Sequence, residues 1–317
     1  MRVPTSDPFA VRYDVAVAGG ALKVARSGPP ARDADAVVLA VHGVTASHLA
    51  WRAVARELSA RGSVCLLAPD LRGRGHSARL AGPYGIAAHV ADLLAVLDDV
   101  AAERVVLVGY SMGAYVVARL AAEHPERAVA VVLLDGGLPL PLPEGDTPAS
   151  VLEKVVGPAI ARLRGTFASR EEYVAQWRSH PAFAEAWNRD VELYAGYDVS
   201  GERGAVHCVV SADAVHTDSA ELLDEHAARS TLDRVGAPVH LLRALRGFRN
   251  EDDKPFISAE ALRAFVADYP DVQVEDVADV NHYTLTLGES PGPSRVASTV
   301  RAAPREAGRR RRPLRAE

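Results

Sequence analysis

Cysteine and long apolar runs are scarce in this chain. Its 317 residues include two cysteines, Cys65 and Cys208, which lie far apart. Two such cysteines provide neither a disulfide framework nor a clustered set of metal ligands, and Cys65 lies in an apolar run typical of a core strand. No apolar segment approaches the ~18 residues that a membrane-spanning helix needs. These absences predict a protein of a reducing compartment, without a metal centre and without a membrane partner.

The chain also lacks an overall excess of positive charge. Its formal net charge is -5, so no general field favours nucleic acid. The N-terminal MRVPTSDPFAVRYD lacks the basic start and apolar run of a signal peptide. We therefore expect a cytoplasmic protein whose partner is a small molecule, and the oligomeric state stays open.

The C-terminal end differs from the rest of the chain in charge. Residues 304–317 contain four consecutive arginines followed by a proline. A run of like charges cannot build a core, so this segment is predicted to be a disordered, solvated basic tail. Contact with nucleic acid or an acidic partner is the alternative.

Short apolar segments alternate with helical patterns over residues 1–137. A hairpin pattern at Gly19-Gly20 precedes the apolar segments DAVVLAV, SVCLLAP, RVVLVG and AVAVVLL. This alternation predicts an α/β fold with a mostly parallel sheet covered by helices on both faces. Residues 138–235 read as helical and aromatic-bearing, and strand and helix patterns return over 236–303. We therefore expect a core in two parts, 1–137 and 236–303, with a helical cap at 138–235 between them.

A serine between two glycines follows the apolar segment VVLV. The stretch reads Gly109-Tyr110-Ser111-Met112-Gly113 and leads directly into a helical pattern. A strand that turns into a helix in this way projects the serine hydroxyl above the sheet edge, beside the helix N-terminus. A hydroxyl needs a neighbouring base to become a nucleophile. Ser111 is the predicted nucleophile, and a chance pentapeptide in a glycine-containing turn is the alternative.

Other stretches also follow predicted strands. The loop HGVTAS follows VVLAV and is expected to supply the N–H of Val44, which with that of Met112 would form an oxyanion hole. His42 in this loop is interpreted as structural, and His76 in DLRGRGHS as part of an architectural loop. His282, in VNHYTL after the last predicted strand, is the expected base, in the chain order typical of this constellation.

Together, HGVTAS, DLRGRGHS, GYSMG and the late NHY resemble the α/β-hydrolase superfamily over roughly residues 13–303. The resemblance implies a mostly parallel eight-stranded sheet, a helical cap inserted after the sixth strand, and a Ser-acid-His triad that needs no cofactor. It does not specify the substrate.

The acid of that triad is ambiguous in the sequence. In the superfamily it usually follows the seventh strand and sometimes the sixth. After PVHLLRA the loop is longer than usual and offers Glu251, Asp252 and Asp253, whereas Asp135 ends the sixth predicted strand. The acid must be buried enough to accept the Nδ1 proton of His282. Asp252 and Asp135 are the main candidates, and Glu251 is a third.

The cap segment carries aromatic and arginine side chains. Its aromatic residues pack the cap onto the core in one interpretation, and in the other Trp177 and Trp187 line an apolar substrate pocket. One arginine near the cleft could also bind a substrate carboxylate. The candidates are Arg162, Arg164, Arg170, Arg178 and Arg189.

These features support three hypotheses for function. The first is a serine hydrolase that cleaves a small carboxylic ester, thioester or lactone through an acyl-enzyme on Ser111. The second uses the same fold for carbon–carbon bond hydrolysis, cofactor-free peroxidation or a step of natural-product biosynthesis. The third is a non-enzymatic ligand receptor or scaffold.

Overall fold

The computed structural model describes residues 7–139, 145–289 and 291–310, with their side chains except those of residues 155 and 305–310. Its strands in chain order are β1 (Val11–Val17), β2 (Gly20–Ser27), β3 (Ala36–Val41), β4 (Val64–Pro69), β5 (Val105–Tyr110), β6 (Ala128–Leu134), β7 (Thr166–Phe167), β8 (Val199–Ser200), β9 (Val206–Cys208), β10 (Val239–Arg246) and β11 (Gln273–Asn281). Its α-helices are α1 (Arg52–Ser59), α2 (Ile86–Asp99), α3 (Met112–Glu123), α4 (Pro148–Leu163), α5 (Arg170–Arg178), α6 (Arg189–Tyr197), α7 (Ala212–Glu221), α8 (Glu225–Leu232), α9 (Ala259–Asp268) and α10 (Gly292–Arg310).

Eight strands form one sheet in the order β1-β2-β4-β3-β5-β6-β10-β11. The β1–β2 hairpin and the β2–β4 pair are antiparallel, and every other neighbouring pair is parallel. The predicted mostly parallel eight-stranded sheet is therefore confirmed. Because parallel strands point the same way, the loops after β3, β4, β5, β6, β10 and β11 meet at one edge.

Apolar side chains cover both faces of the sheet. Along β5, Val106 and Val108 pack on one face with α1 and α10, whereas Val105 and Leu107 pack on the other with α2 and α3. Alternate residues of a strand point to opposite faces, so a strand buried on both sides reads as a continuous apolar run. This explains why VVLVGY, the sequence of β5, which is buried along its whole length, begins with four apolar residues in a row.

The chain between β6 and β10 forms the cap. It contains α4–α8 and a small antiparallel sheet in the order β7-β9-β8, which the helical interpretation did not predict. Its own buried cluster includes Tyr173, Trp177, Phe183 and Tyr194, and also takes in Ala46 and Leu49 from the core. Aromatic packing thus binds the cap to the loop after β3.

The end of the chain departs from its predicted boundary. Helix α10 continues to Arg310, past residue 304, where the basic tail was expected to begin. Arginine is a good helix former, so charge alone does not end a helix that is already packed at its start. The rest of the predicted tail, residues 311–317, lies outside the described residues. Among the described helices, none combines the length and apolar character needed to cross a bilayer.

Candidate active site

Ser111 occupies a sharp turn between β5 and α3. Its backbone has φ 55° and ψ −120°, a conformation that costs an L-residue on the order of 1–3 kcal/mol. Its N–H donates to the Leu134 carbonyl at 2.9 Å, and its carbonyl accepts from Ala114 at 3.0 Å. These bonds hold a strained turn that directs the side chain out of the sheet, at the N-terminus of α3.

Small residues on both sides make this turn possible. A side-chain carbon at Gly109 would collide with the Gly113 carbonyl oxygen, and one at Gly113 would collide with the Val41 carbonyl oxygen. The chain therefore needs glycine at both positions, because strand and helix backbones approach without room for a Cβ. The pattern Gly-x-Ser-x-Gly has a steric origin in this structure.

The loops after β3 and β6 lie directly beside Ser111. A Cβ built on Gly43 would lie 3.2 Å from the Ser111 Cβ, and one on Gly136 would lie 2.5 Å from the Ser111 carbonyl oxygen. Gly136 follows Asp135 in the chain. The structure therefore brings the end of β6, with its carboxylate, against the backbone of the serine.

Asp135 and His282 form a buried hydrogen-bonded pair. The Nδ1 atom of His282 lies 2.6 Å from Oδ2 of Asp135, and their side chains are 4% and 0% exposed. An ionised carboxylate only accepts hydrogen bonds, so Nδ1 must carry the proton in the neutral ring. Nε2 is then left with a free lone pair, which is what a general base requires.

Strand geometry positions the Asp135 carboxylate. Asp135 directly follows β6 and has a φ of 46°. Its N–H donates to the Leu242 carbonyl at 2.9 Å, and its Oδ1 accepts the Ala244 N–H at 3.3 Å. Both contacts come from the neighbouring strand β10. Of the candidate acids, Asp135 is therefore the one that the structure places against His282.

The other two candidate acids lie elsewhere. The side chain of Asp252 is 86% exposed and pairs with Arg246 Nε at 3.0 Å. Glu251 accepts the Arg249 N–H at 2.7 Å and so closes its own loop. The long loop after β10 thus directs these carboxylates into contacts of its own. Asp252, the other main candidate from the sequence, forms a surface ion pair.

Aromatic rings surround the His282 imidazole. The ring centroids of Phe248, Tyr110 and Phe256 lie 4.4, 5.0 and 5.2 Å from that of His282. Tyr110 immediately precedes Ser111, so this packing holds the imidazole next to the end of β5. Apolar walls also exclude water, which strengthens electrostatic interactions at the site.

The residues predicted as oxyanion donors directly follow Ser111 and Gly43 in the chain. Met112 is the first residue of α3, a position whose N–H has no acceptor within the helix. Val44 is half-buried in the loop after β3, and its carbonyl accepts from Arg74 Nε at 2.9 Å. Arg74 thus holds the carbonyl of Val44, the residue after Gly43, whose backbone lies beside Ser111.

His42 is a structural link. It is completely buried, with Nδ1 2.8 Å from the Gly43 carbonyl and Nε2 accepting the Leu71 N–H at 3.0 Å. Burial, only partly offset by Asp70, lowers the pKa of His42 to about 4. The neutral ring therefore ties the loop after β3 to the loop after β4.

Asp70, the first residue of DLRGRGHS, organises a second polar centre. Its two oxygens accept hydrogen bonds from His48 N–H and Nδ1, from the His76 N–H at 2.9 Å and from the Tyr197 hydroxyl at 2.6 Å. Burial would raise the pKa of Asp70, but the contacts with His48 and Tyr197 outweigh it and lower the pKa. His76 itself is exposed. The loop therefore joins the core to α6 of the cap.

Buried ion pairs provide further links between core and cap that the sequence interpretation missed. Arg74 Nη1 lies 2.5 Å from Oδ2 of Asp218 in α7, and both side chains are completely buried. Oδ2 of Asp218 also lies 2.9 Å from His89 Nε2. Arg52 and Arg56 both contact Asp190 in α6. Of the residues in these ion pairs, only Arg74 lies in a motif that the sequence had singled out, DLRGRGHS.

The two predicted pocket tryptophans lie in different places. Trp177 is buried, and its ring centroid lies 5.9 Å from that of Tyr283, the neighbour of His282. Trp187 is half-buried, stacks edge-on against Phe183, and lines a separate cavity of about 500 Å³. Trp177 thus contacts the neighbour of His282 directly, whereas Trp187 is connected to it through Phe183.

Over the residues that the structure describes, no three His, Cys, Asp or Glu side chains gather closely enough to hold a metal ion.

Comparisons with known proteins support the assignment of the fold. A family model described as alpha/beta hydrolase fold matches residues 36–288. The lipase LipV of Mycobacterium tuberculosis is 41% identical over 121 residues, 38% of this chain and 43% of the relative. Epoxide hydrolase A of the same organism is 41% identical over 118 residues, 37% and 35% of the two chains. The chain thus matches less than half the length of these relatives.

Solved structures extend the likeness to the whole fold. The thioesterase domain from the curacin biosynthetic pathway superposes with a TM-score of 0.70 at 20% identity, covering 92% of this chain and 98% of that domain. A thermophilic esterase from Thermogutta terrifontis gives 0.65 at 20% identity, covering 94% and 99%. At this identity the likeness concerns the fold. Because the family model spans most of the chain, the protein is a member of the α/β-hydrolase fold family.

Proposed function

We propose that this protein is a hydrolase that cleaves small carboxylic esters, thioesters or lactones through an acyl-enzyme on Ser111. The observation that carries the proposal is the 2.6 Å contact between His282 Nδ1 and Asp135 Oδ2, beside the strained serine turn. In the first step His282 Nε2 takes the hydroxyl proton while Oγ bonds to the carbonyl carbon. The oxyanion is held by the N–H groups of Val44 and Met112, and His282 then gives its proton to the leaving group.

In the second step the same groups act on water. His282 takes a proton from water, the resulting hydroxide adds to the acyl carbon, and the protonated imidazole returns that proton to Ser111 Oγ as the acid product leaves. Asp135 remains ionised and stabilises the imidazolium at both stages.

The serine favours an acyl substrate over an epoxide. Attack of Ser111 on an epoxide would produce an alkyl ether, which has no carbonyl carbon for water to attack, so turnover would stop after one cycle. An acyl-enzyme retains that carbon. The name of the epoxide hydrolase relative therefore does not decide the substrate of this chain.

Labelling and turnover of the same preparations test the proposal. Wild-type protein is expected to react with a fluorophosphonate probe and to hydrolyse p-nitrophenyl acetate or butyrate, and Ser111→Ala and His282→Ala should lose both properties. His216→Ala is the matched control, since this histidine is exposed on α7. Undiminished turnover in Ser111→Ala would refute the acyl-enzyme mechanism. Labelling without turnover would favour a receptor on the same fold.

A further inference from the structure

One of the five cap arginines named from the sequence differs from the other four. Arg164, Arg170, Arg178 and Arg189 are exposed, whereas Arg162 is half-buried near the end of α4. The guanidinium carbon of Arg162 lies 4.9 Å from the ring centroid of Trp177. No ion pair to Arg162 occurs among the described side chains, although a cation removed from water normally has one.

Unpaired hydrogen-bond donors surround this cation. Nε of Arg162, the hydroxyl of Tyr173 and Nε1 of Trp177 are all buried without a hydrogen-bond partner of normal geometry among the described residues. The Tyr173 side chain does contact those of Trp177 and Cys208. Each such donor costs on the order of 1–3 kcal/mol when it is left unpaired. Three donors in one cluster complement a group that only accepts hydrogen bonds, and a carboxylate is such a group.

Asp198 is the acid that interacts with Arg162, but the two side chains do not form an ion pair. Asp198 is buried, and its Oδ1 has no hydrogen-bond partner in the described part of the chain. Burial raises the pKa of Asp198 well above its usual range, against the influence of Arg162. Burial alone would lower the pKa of Arg162, but Tyr173, Tyr283 and Asp198 outweigh it and raise the pKa. Within the described part of the chain, Arg162 therefore has no ion-pair partner, although a buried acid lies in the same cluster.

Ring contacts connect the cluster to the candidate active site. The Trp177 ring lies 5.9 Å from Tyr283, and the Tyr283 ring lies 5.8 Å from that of His282. Two contacts thus separate the ring under Arg162 from the proposed base. Tyr283 therefore lies between the Arg162 cluster and the proposed base, and a substrate that reaches both must pass this ring.

We propose that the cluster of Arg162, Tyr173 and Trp177 is a subsite for a carboxylate carried by the substrate, away from the bond that is cleaved. The inference rests on the proposed function and specifies its substrate class, an ester or thioester with one free carboxylate. Charge-assisted bonds from arginine to a carboxylate are the strong type, and the Trp177 ring below the guanidinium keeps it in place.

Matched pairs of esters test the subsite in wild-type protein. One pair is the p-nitrophenyl monoester of glutarate against p-nitrophenyl pentanoate, which places the charge on the acyl side. The other is 4-carboxyphenyl butyrate against 4-carbamoylphenyl butyrate, which places it on the leaving group. We expect kcat/KM to favour the carboxylate by about tenfold or more in one pair, as for a contact with a charged hydrogen bond.

Variants then assign the preference to Arg162. Arg162→Met should abolish the preference while hydrolysis of the neutral esters continues, and Arg162→Lys should retain part of it. Arg164→Met is the matched control, because Arg164 is exposed two residues further along the chain. A preference that survives in folded Arg162→Met would overturn the assignment.

The wild-type measurement decides the question even if Arg162→Met does not fold. Equal rates within both pairs, in a protein that reacts with fluorophosphonate and cleaves the neutral esters, would overturn the subsite and leave the proposed function in place. Absence of labelling and of turnover on all four esters would instead refute the proposed function.

Discussion

The core and the cap of this protein are stabilised by different interactions. Every residue of β4 and β5 is buried, and the clusters on the two faces of the sheet are apolar. The cap contacts the core through an aromatic cluster and also through buried charges, with Asp218 against Arg74 and Asp190 against Arg52. Apolar packing is insensitive to pH and tolerant of small shifts, whereas a buried ion pair requires both partners at the correct distance.

This difference assigns separate roles to the two regions. The core supplies the rigid strand ends that hold Ser111, Asp135 and His282. The cap supplies the aromatic and cationic surface beside them. Arg74 belongs to both, because it donates to the Val44 carbonyl and pairs with Asp218 in α7. We therefore expect changes in the core to affect catalysis, and changes at the cap contacts to affect stability and selectivity.

The largest effect is expected for Asp135→Asn in the core. An asparagine keeps the shape but cannot stabilise the imidazolium, so kcat should fall by about 10⁴-fold with little change in folding. Asp252→Asn is the matched control and should retain wild-type kcat, since Asp252 is exposed. Steady-state ester hydrolysis and circular dichroism provide the measurements. A normal kcat in Asp135→Asn would remove this residue from the triad.

The next effect concerns the joint between the two regions. Asp218→Asn leaves the completely buried Arg74 without a counter-charge, which should lower the free energy of unfolding by about 3–5 kcal/mol. Arg74 also donates to the Val44 carbonyl and so helps to position the loop after β3, which carries a proposed oxyanion donor. We therefore expect kcat to decrease as well. Asp213→Asn, on an exposed position of the same helix, should change stability little. Equal urea midpoints for the two variants would contradict a structural role for the pair.

A smaller effect is expected from acid. Burial would raise the pKa of Asp190 and Asp218, but their arginine and histidine partners outweigh burial and lower it. Carboxylates with a lowered folded-state pKa stabilise the protein above their unfolded pKa, near 4, and this stabilisation is lost as the pH falls through the folded-state values. Protection of amides from hydrogen exchange, measured relative to the intrinsic rate at each pH, should therefore decrease in α6 and α7 below about pH 4, before it decreases in β5. A simultaneous decrease would mean that the cap depends on the same packing as the core.

The smallest effect is expected for Trp187→Ala. Trp187 lines a cavity separate from His282, so the preference among p-nitrophenyl esters of different chain length should stay within about twofold of wild type. Trp177→Phe, which retains an aromatic ring beside Tyr283, is expected to shift that preference more strongly. A larger shift in Trp187→Ala would move the pocket to that side of the cap.

Much of the fold followed from local patterns. Strands buried on both faces read as continuous apolar runs, and the glycine spacing around Ser111 reflects steric limits within one turn. The three-stranded sheet of the cap was missed because its strands contain only two or three residues each. Such short segments are defined by their partners in space and leave no period in the sequence.

The candidate site likewise contains some residues that the sequence predicted and others that only the tertiary structure identified. Ser111, His282 and the glycine turns could be named from the order of residues, because each depends on the strand that immediately precedes it. The choice of Asp135 over Asp252, the pairing of Arg74 with Asp218 and the separate position of Arg162 depended on tertiary structure. The sequence identifies an aspartate or an arginine but does not show whether its side chain is buried. Burial, and the distance to a partner from a remote segment, determine the role of that side chain.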